Sequence, residues 1–395
     1  MKIEQQDIED LRSGQPPLNE ELLAKMTLGR ELWLNGFKEH YLEKYIATGG
    51  SKVKVLVGSA GTGKTHLLSC IELDAKNLGY QTVYLSALDY SLNDLPGLYR
   101  AIVKEIDKER IVQGLCCYVA TVLGYGEDRY DGTQPLAPML YDELGRDLAV
   151  HEIKKAAGEA FKDVDFGPSF KAFAYGAINN RMINGNETDI DLALKWLSGE
   201  KLERREKQAL HLFEGLQKTN ARYWLNSLIN LLTIAGIKGL VVAIDDLEAM
   251  TERSDKTKRF VYSTNAIKDV CELFRQLIDD GELLNNFLLL LAGRREMIED
   301  EKRGFKSYEA LWMRLQTGLV PSERFNPLAD IVDTDKHLQA NGDNFPVRVN
   351  TRLRELFREI DLKLEYKGLP DLSKYSNLQA RVIEAVSMAP GGKVR

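Results

Sequence analysis

Lys52-Val-Lys-Val-Leu-Val57 runs directly into Gly58-Ser-Ala-Gly61-Thr-Gly63-Lys64-Thr65, and this junction decides the fold. The first run is β-rich, the second matches the phosphate-binding pattern G-x-x-x-x-G-K-[ST], and a helical run from Lys64 to about Lys76 follows. Each position has a chemical reason. The glycines let the backbone curl so that amide N–H groups point inward at phosphate oxygens. The helix starting near Gly63 adds its positive end. Lys64 sets a point charge on the β- and γ-phosphates, and the Thr65 hydroxyl is a ligand for Mg²⁺. A glycine-rich turn without ligand is the plain alternative, and the strand before and helix after argue against it. A dinucleotide-binding loop would lack the Lys-Thr pair. Gly58, Ser59, Ala60, Gly61, Thr62, Gly63, Lys64, Thr65 and His66 are therefore expected at a nucleotide.

Downstream, Val241-Val-Ala-Ile244 ends in Asp245-Asp246-Leu247-Glu248. An apolar run of this kind belongs in the middle of a sheet covered on both faces, with its carboxyl end beside the phosphate loop. Asp245 is then placed to hold the Mg²⁺ shell. Asp246, or with less support Glu248, would polarise an attacking water. An acidic strand-to-loop turn is the bland reading of the same residues. A third strand, Phe287 to Ala292, ends in Gly293-Arg294-Arg295. Arg294 occupies the tip, where a polar residue senses the γ-phosphate, unless it simply pairs with Glu296 or Glu299. Two arginines are candidates to complete a neighbouring subunit's site. Arg314 lies on the helical run from Tyr308, and Arg324 follows Val320-Pro-Ser-Glu. For each, a surface role is the alternative.

Working outward, helices are expected over Ile3 to Arg12, Arg30 to Ala47, Leu95 to Ile106 and Asn265 to Asp279, and a strand over Thr82 to Ser86. Lys108 to Lys238 has helical periodicity with glycine-rich breaks at Gly124 to Gly132 and Asn184 to Thr188. It reads as a helical insertion. Strands alternating with helices indicate an α/β fold with a parallel sheet.

The 395 residues are 44% hydrophobic and 28% charged, the balance of a globular protein of two or three compact units. A formal charge of −6 argues against a wholly basic nucleic-acid clamp. The four cysteines have no metal spacing and are expected reduced. No apolar run approaches about 18 residues, and the opening MKIEQQDIEDLRSG lacks a signal-peptide pattern. A cytoplasmic location without membrane contact is the expectation. The most basic stretch is Arg348 to Arg358, with Lys363 and Lys367 beyond. It reads either as ion pairing along a solvated helix or as non-specific contact with DNA phosphates. Tyr118, Tyr125, Tyr130 and Tyr141 in the insertion read as packing residues rather than base-stacking platforms.

The order of phosphate loop, acidic strand and sensor-like strand resembles AAA+ ATPases of the origin-recognition and initiator-loading branch. A closer resemblance is to the BREX-system ATP-binding protein family of bacterial phage-defence islands. It rests on Ile8-Glu-Asp-Leu-Arg12-Ser-Gly14 with Pro16, Thr27-Leu-Gly29-Arg30-Glu31, Trp196-Leu-Ser-Gly199-Glu200, Asp245-Asp-Leu-Glu248, Phe274-Arg275-Gln-Leu-Ile-Asp279 and Tyr308-Glu-Ala-Leu, dispersed over nearly the whole chain. The resemblance implies a three-layer parallel-sheet phosphate-loop (AAA+-like) core over 51–330, holding the insertion at 109–238. A helical segment would precede it over 1–50 and a small helical lid would follow over 331–395. It also implies Gly29 and Arg30 at the nucleotide. Gly391-Gly-Lys-Val-Arg395 resembles the start of the lid helix whose arginine meets phosphate, which makes Arg395 the second-sensor candidate and the lid either unusually short or cut there. Two features depart from the family pattern: Asp246 stands where it has Glu, and Arg294 where it has a small polar residue. The implied function is an ATP- and Mg²⁺-dependent ATPase that forms homo-oligomers, with Asp246 in place of Glu implying slow turnover. Helicase-like or DNA-modifying defence proteins would be its partners. The alternative is a nucleotide-gated scaffold or signalling switch with little turnover and no direct DNA binding.

Overall fold

The computed structural model describes residues 2–90, 92–126, 128–254, 256–279, 281, 283–316, 324–360 and 371–387. Arg395, Lys363 and Lys367 lie outside them. Five parallel strands form one sheet: β1 (Ser51–Val57), β2 (Gln81–Ser86), β3 (Leu240–Asp245), β4 (Phe287–Gly293) and β5 (Ile331–Asp333), in the order β2-β3-β4-β1-β5. In chain order the helices are α1 (Gln5–Ser13), α2 (Glu20–Met26), α3 (Leu34–Phe37), α4 (Lys64–Asn77), α5 (Leu95–Lys104) and α6 (Lys108–Val122). Then come α7 (Ala137–Leu144), α8 (Arg146–Ala160), α9 (Pro168–Ile178), α10 (Glu187–Leu197), α11 (Arg204–Leu210) and α12 (Ala221–Ile234). The last described helices are α13 (Thr264–Asp279), α14 (Glu296–Glu299), α15 (Glu309–Gln316), α16 (Thr334–Ala340), α17 (Phe345–Glu359) and α18 (Asn377–Ser387).

The sheet carries apolar side chains on both faces, as a buried parallel sheet must. Leu56, Val241, Ala243, Leu288 and Leu290 pack under α4 and under Trp33, Phe37, Leu42 and Ile46. Val55, Val242, Ile244, Leu289 and Leu291 face α13 and the helices of the insertion. That second layer has no seam. Tyr99 of α5, Phe170 of α9, Trp196 of α10 and Trp224 of α12 nest together, edge to face except for Trp196 and Trp224, which are tilted with centroids 4.6 Å apart, in the same continuous core as the strands. Tyr130 is buried there and Tyr118 is exposed. A third cluster joins α1 and α2 to α17 and α18 through Ile8, Leu11, Leu22, Met26, Leu353 and Phe357.

Three features correct or extend the sequence reading. First, β4 lies between β3 and β1, pairing Val55 with Leu291 on one side and Ile244 with Leu291 on the other. Second, β5 is a strand that sequence periodicity does not announce, because three residues show no alternation. It is fixed from the side. Lys54, wholly buried in β1, donates from Nζ to the carbonyls of Leu328 (3.0 Å) and Ala329 (2.9 Å). Lys52 and Lys54 both pair with Asp330, at 2.8 and 3.3 Å. The sheet therefore runs past residue 330, where the lid was expected to begin. Third, Arg30 to Ala47 is not one helix. A 3₁₀ turn over Arg30–Leu32 is followed by α3 and a π-helical stretch over Lys38–Tyr45, because Trp33 (φ −145°, ψ −53°) is not helical. α2, which precedes it, is started by the Asn19 side chain accepting the Leu22 amide at 3.0 Å.

The basic stretch on α17 is largely a packing device. Arg352 donates to the Lys25 carbonyl at 3.0 Å and Arg354 to Glu384 at 3.2 Å, tying α17 to α2 and α18. Arg348 and Arg358 are exposed.

Candidate functional site

A cleft of about 420 Å³ opens at the carboxyl end of the sheet. Its floor is the phosphate loop, from Ala60 through Thr65 and on to His66 and Leu67. Its polar wall is Asp245, Asp246, Glu248 and Arg294, and its apolar roof comes from Met26, Leu28, Phe345, Val349, Leu378 and Val382. The loop is shaped by its own glycines and by contacts from the start of α16. Gly61 has φ +76°, a left-handed backbone that favours glycine, and a Cβ at Gly58 would collide with the Thr334 hydroxyl. That hydroxyl donates to the Val57 carbonyl at 3.1 Å and lies 2.6 Å from the Thr62 hydroxyl. Asp335 accepts the Ser59 amide at 2.9 Å and is itself gripped by Arg295 at 2.8 Å. Burial pushes the Asp335 carboxyl upward, but the Ser59 amide and the Arg295 guanidinium outweigh it and hold the group below its ordinary range.

Lys64 is buried, and its Nζ donates to the carbonyls of Gly58 (3.0 Å) and Ser59 (2.9 Å). Burial draws its pKa below the ordinary lysine value, and the charges of Glu248 and Asp245 offset part of that. The Thr65 hydroxyl donates to Asp245 Oδ2 at 2.7 Å, reaching across the tip of β4. Asp245 also accepts the Tyr84 hydroxyl at 3.0 Å and the Asp246 amide at 2.8 Å. Burial raises the pKa of Asp245, against the pull of these donors.

The two residues after Asp245 are sorted by backbone geometry. Asp246 has φ +58°, and its carboxylate turns to accept the Ser86 hydroxyl at 2.7 Å. Glu248, on a 3₁₀ turn (Leu247–Met250), points back into the cleft. It accepts the Arg294 amide at 3.3 Å and pairs with the Arg294 side chain at 3.3 Å. Burial raises the Glu248 pKa, with Arg294 and Lys64 opposing. Of Asp246 and Glu248, it is Glu248 whose charge acts on Lys64. Arg294 does line the cleft, but it pairs with Glu248 and Glu252 (2.8 Å) instead of Glu296 or Glu299.

Other expected residues are elsewhere. Gly29 and His66 line the cleft; Arg30 does not, and its guanidinium pairs with Asp74 on α4. His66 Nε2 is 3.1 Å from the Thr27 hydroxyl and 3.6 Å from Cys70 Sγ. Arg314 pairs with Asp279 at 2.5 Å, beside the amino end of β1. Arg324 borders a separate pocket with Trp312 and Lys336. Neither arginine lines this chain's cleft. Among the described residues no group of three or more His, Cys, Asp or Glu could hold a metal, and no helix is long and apolar enough to cross a membrane.

Residues that sequence reasoning passed over complete the site. Tyr84 and Ser86 at the end of β2 orient the two aspartates, and the alternation of Thr82-Val-Tyr-Leu-Ser86 could have placed both on one face. Ile331-Val-Asp-Thr-Asp335 carries a helix-start signal, since Asp333 caps α16 by accepting the Asp335 and Lys336 amides. Nothing local points to Ser376, whose hydroxyl donates to the Gly61 carbonyl at 2.8 Å from just ahead of α18.

Neither the comparison with curated proteins nor that with solved structures finds a match. The family model described as "BREX system ATP-binding protein BrxC/D" matches residues 2–394. With a phosphate loop set under a cleft of acidic and apolar walls, and a family match over nearly its whole length, the chain belongs to the BREX system ATP-binding protein BrxC/D family.

Proposed function

We propose that the protein binds ATP with Mg²⁺ and hydrolyses it, and that it uses this cycle in phage defence in the cytoplasm. One observation carries the reading: Lys64, the Thr65–Asp245 pair and Glu248 converge on a single cleft although they come from two segments 180 residues apart in sequence. The phosphates lie along the loop amides, and Lys64 exchanges its two loop carbonyls for phosphate oxygens. Thr65 and Asp245 are hard oxygen donors, the kind Mg²⁺ takes together with water and substrate phosphates. When bound, the ion neutralises charge on the phosphates. Glu248 accepts the proton of the attacking water, and its raised pKa brings it nearer to working pH. Arg294 positions Glu248 from the tip of β4. The adenine ring fits the apolar roof between Met26, Leu28, Phe345 and Leu378.

Assembly into homo-oligomers, with Arg314 or Arg324 reaching a neighbour's cleft, belongs to the same reading, as does work on DNA beside helicase-like or DNA-modifying partners. A second reading is a nucleotide-gated scaffold with little turnover. The fixing of Asp246 on Ser86 favours it, since that hydroxyl already engages the carboxylate that stands in the family's glutamate position. Phosphate release from ATP, measured beside binding of a fluorescent ATP analogue, separates the two. Turnover that Lys64→Ala abolishes along with binding is the expected result. Binding without turnover selects the scaffold, and no binding overturns both.

A further inference from the structure

A short antiparallel ribbon projects from the carboxyl end of β3, where Arg253 bridges to Phe260. The Ser254 amide donates to the Arg259 carbonyl at 2.8 Å and the Val261 amide to the Glu252 carbonyl at 3.1 Å. Its base is rigid. Tyr262 is buried and donates to the Ala87 carbonyl at 2.8 Å, while Arg303 donates to the Met250 carbonyl at 3.1 Å and also to that of Tyr262. Phe260 is clasped between the Arg253 and Arg303 guanidiniums, 4.4 and 3.7 Å from its centroid.

The tip faces solvent. Lys256, Thr257, Lys258 and Arg259 are all exposed. Lys258 holds φ +55°, a backbone state that glycine or asparagine adopts at lower cost. A lysine persists there in spite of the strain. The carboxylate of Glu252, at the foot of the ribbon, is engaged by Arg294. Glu252 starts the ribbon one turn after Glu248, and Arg294 touches both.

We infer that this ribbon contacts the phosphate backbone of duplex DNA and relays that contact to the nucleotide cleft through Glu252, Arg294 and Glu248. The relay rests on the ATPase reading; the DNA contact does not. A two-stranded ribbon fits the major groove, and exposed lysines and arginines supply the sequence-independent phosphate contacts that dominate affinity. An acidic protein surface is the weaker fit, because protein interfaces need an apolar centre and the ribbon's one aromatic ring is already covered by arginines. The exposed arginines of α17 lie on a helix that otherwise serves packing.

The test uses the full chain and a fluorescent 25-base-pair duplex, a length chosen for the assay and on the order of two helical turns. The variant Lys256→Glu/Lys258→Glu/Arg259→Glu is compared with Arg348→Glu/Arg358→Glu. The expected result is about tenfold or greater loss of DNA affinity in the ribbon variant alone, and a salt dependence shallower by about two to three in log–log slope. Binding of the fluorescent ATP analogue stays intact in both variants, which separates failure here from failure of the ATPase reading. Glu252→Gln keeps DNA binding and loses DNA-stimulated turnover. No binding of duplex by the unmodified protein, equal loss in both variants, or tighter binding of poly-glutamate than of DNA overturns the proposal. Duplex that binds without changing turnover overturns the relay.

Discussion

Two lysines ten residues apart make the same bonds and do different things. Lys54 Nζ donates to two backbone carbonyls at 3.0 and 2.9 Å, and so does Lys64 Nζ. Lys54 is sealed in the flank of the sheet, over the Tyr41 ring at 4.5 Å and against Asp330, and its bonds fix β5. Lys64 stands at the edge of the cleft, and its bonds only hold the ammonium until a better acceptor arrives. Surroundings, not bonding pattern, separate a structural cation from a functional one.

The largest test of that contrast concerns the carboxylate opposite Lys64. Glu248→Gln should lower ATP turnover about 10²- to 10⁴-fold, the usual contribution of a positioned base, with nucleotide binding retained. Asp246→Asn, acting only through Ser86, should cost less than about tenfold on the same scale. A reversed ranking in steady-state phosphate release breaks the assignment. Because burial raises the Glu248 pKa, turnover falls as pH drops through a value above the ordinary 4.5, and Glu248→Gln flattens that acid limb.

Next in size is the sealed lysine. Burial lowers the Lys54 pKa from 10.5 to about 8, so between those values the unfolded chain holds a proton that the folded chain lacks. Stability therefore rises with pH across that window and is lost as pH falls through about 8. Relative to Lys54→Met, the unmodified protein should gain about 1.4 kcal/mol per pH unit there, read from urea unfolding. Parallel curves for the two proteins remove the contrast. Nucleotide affinity should be unchanged in Lys54→Met.

The smallest effect concerns the roof. Ser376→Ala removes one hydroxyl bond to Gly61 and should change unfolding free energy by about 0.5–1.5 kcal/mol, seen as a modest shift of the urea midpoint. A shift as large as that from removing a core aromatic, about 3–5 kcal/mol, would mean that the roof and the loop unfold as one unit.

The same contrast explains what the sequence discloses. The phosphate loop, β1, β3 and β4 are legible because long apolar runs and a spaced glycine pattern are local signals. Lys64 and Asp245 follow from them. The choice between Asp246 and Glu248 is not legible, since it turns on one left-handed backbone angle and on Ser86, some 160 residues away. β5 is hidden because its evidence is the Lys54 side chain rather than its own three residues. The roof is hidden because α1, α2, α17 and α18 are amphipathic helices that any sequence reader places on some core, without knowing which.

The seamless layer beneath the sheet has a mechanical meaning. Helices α6 to α12 interrupt the chain between β2 and β3, yet their aromatic nest continues into the strands that carry Ser86 and Asp245. A force applied to the insertion is therefore borne by β2 and β3, whose ends set the two aspartates. Excising the insertion would uncover part of one sheet face, leaving α13 to cover the rest. The insertion thus braces, from behind, the strands whose ends carry Ser86 and Asp245.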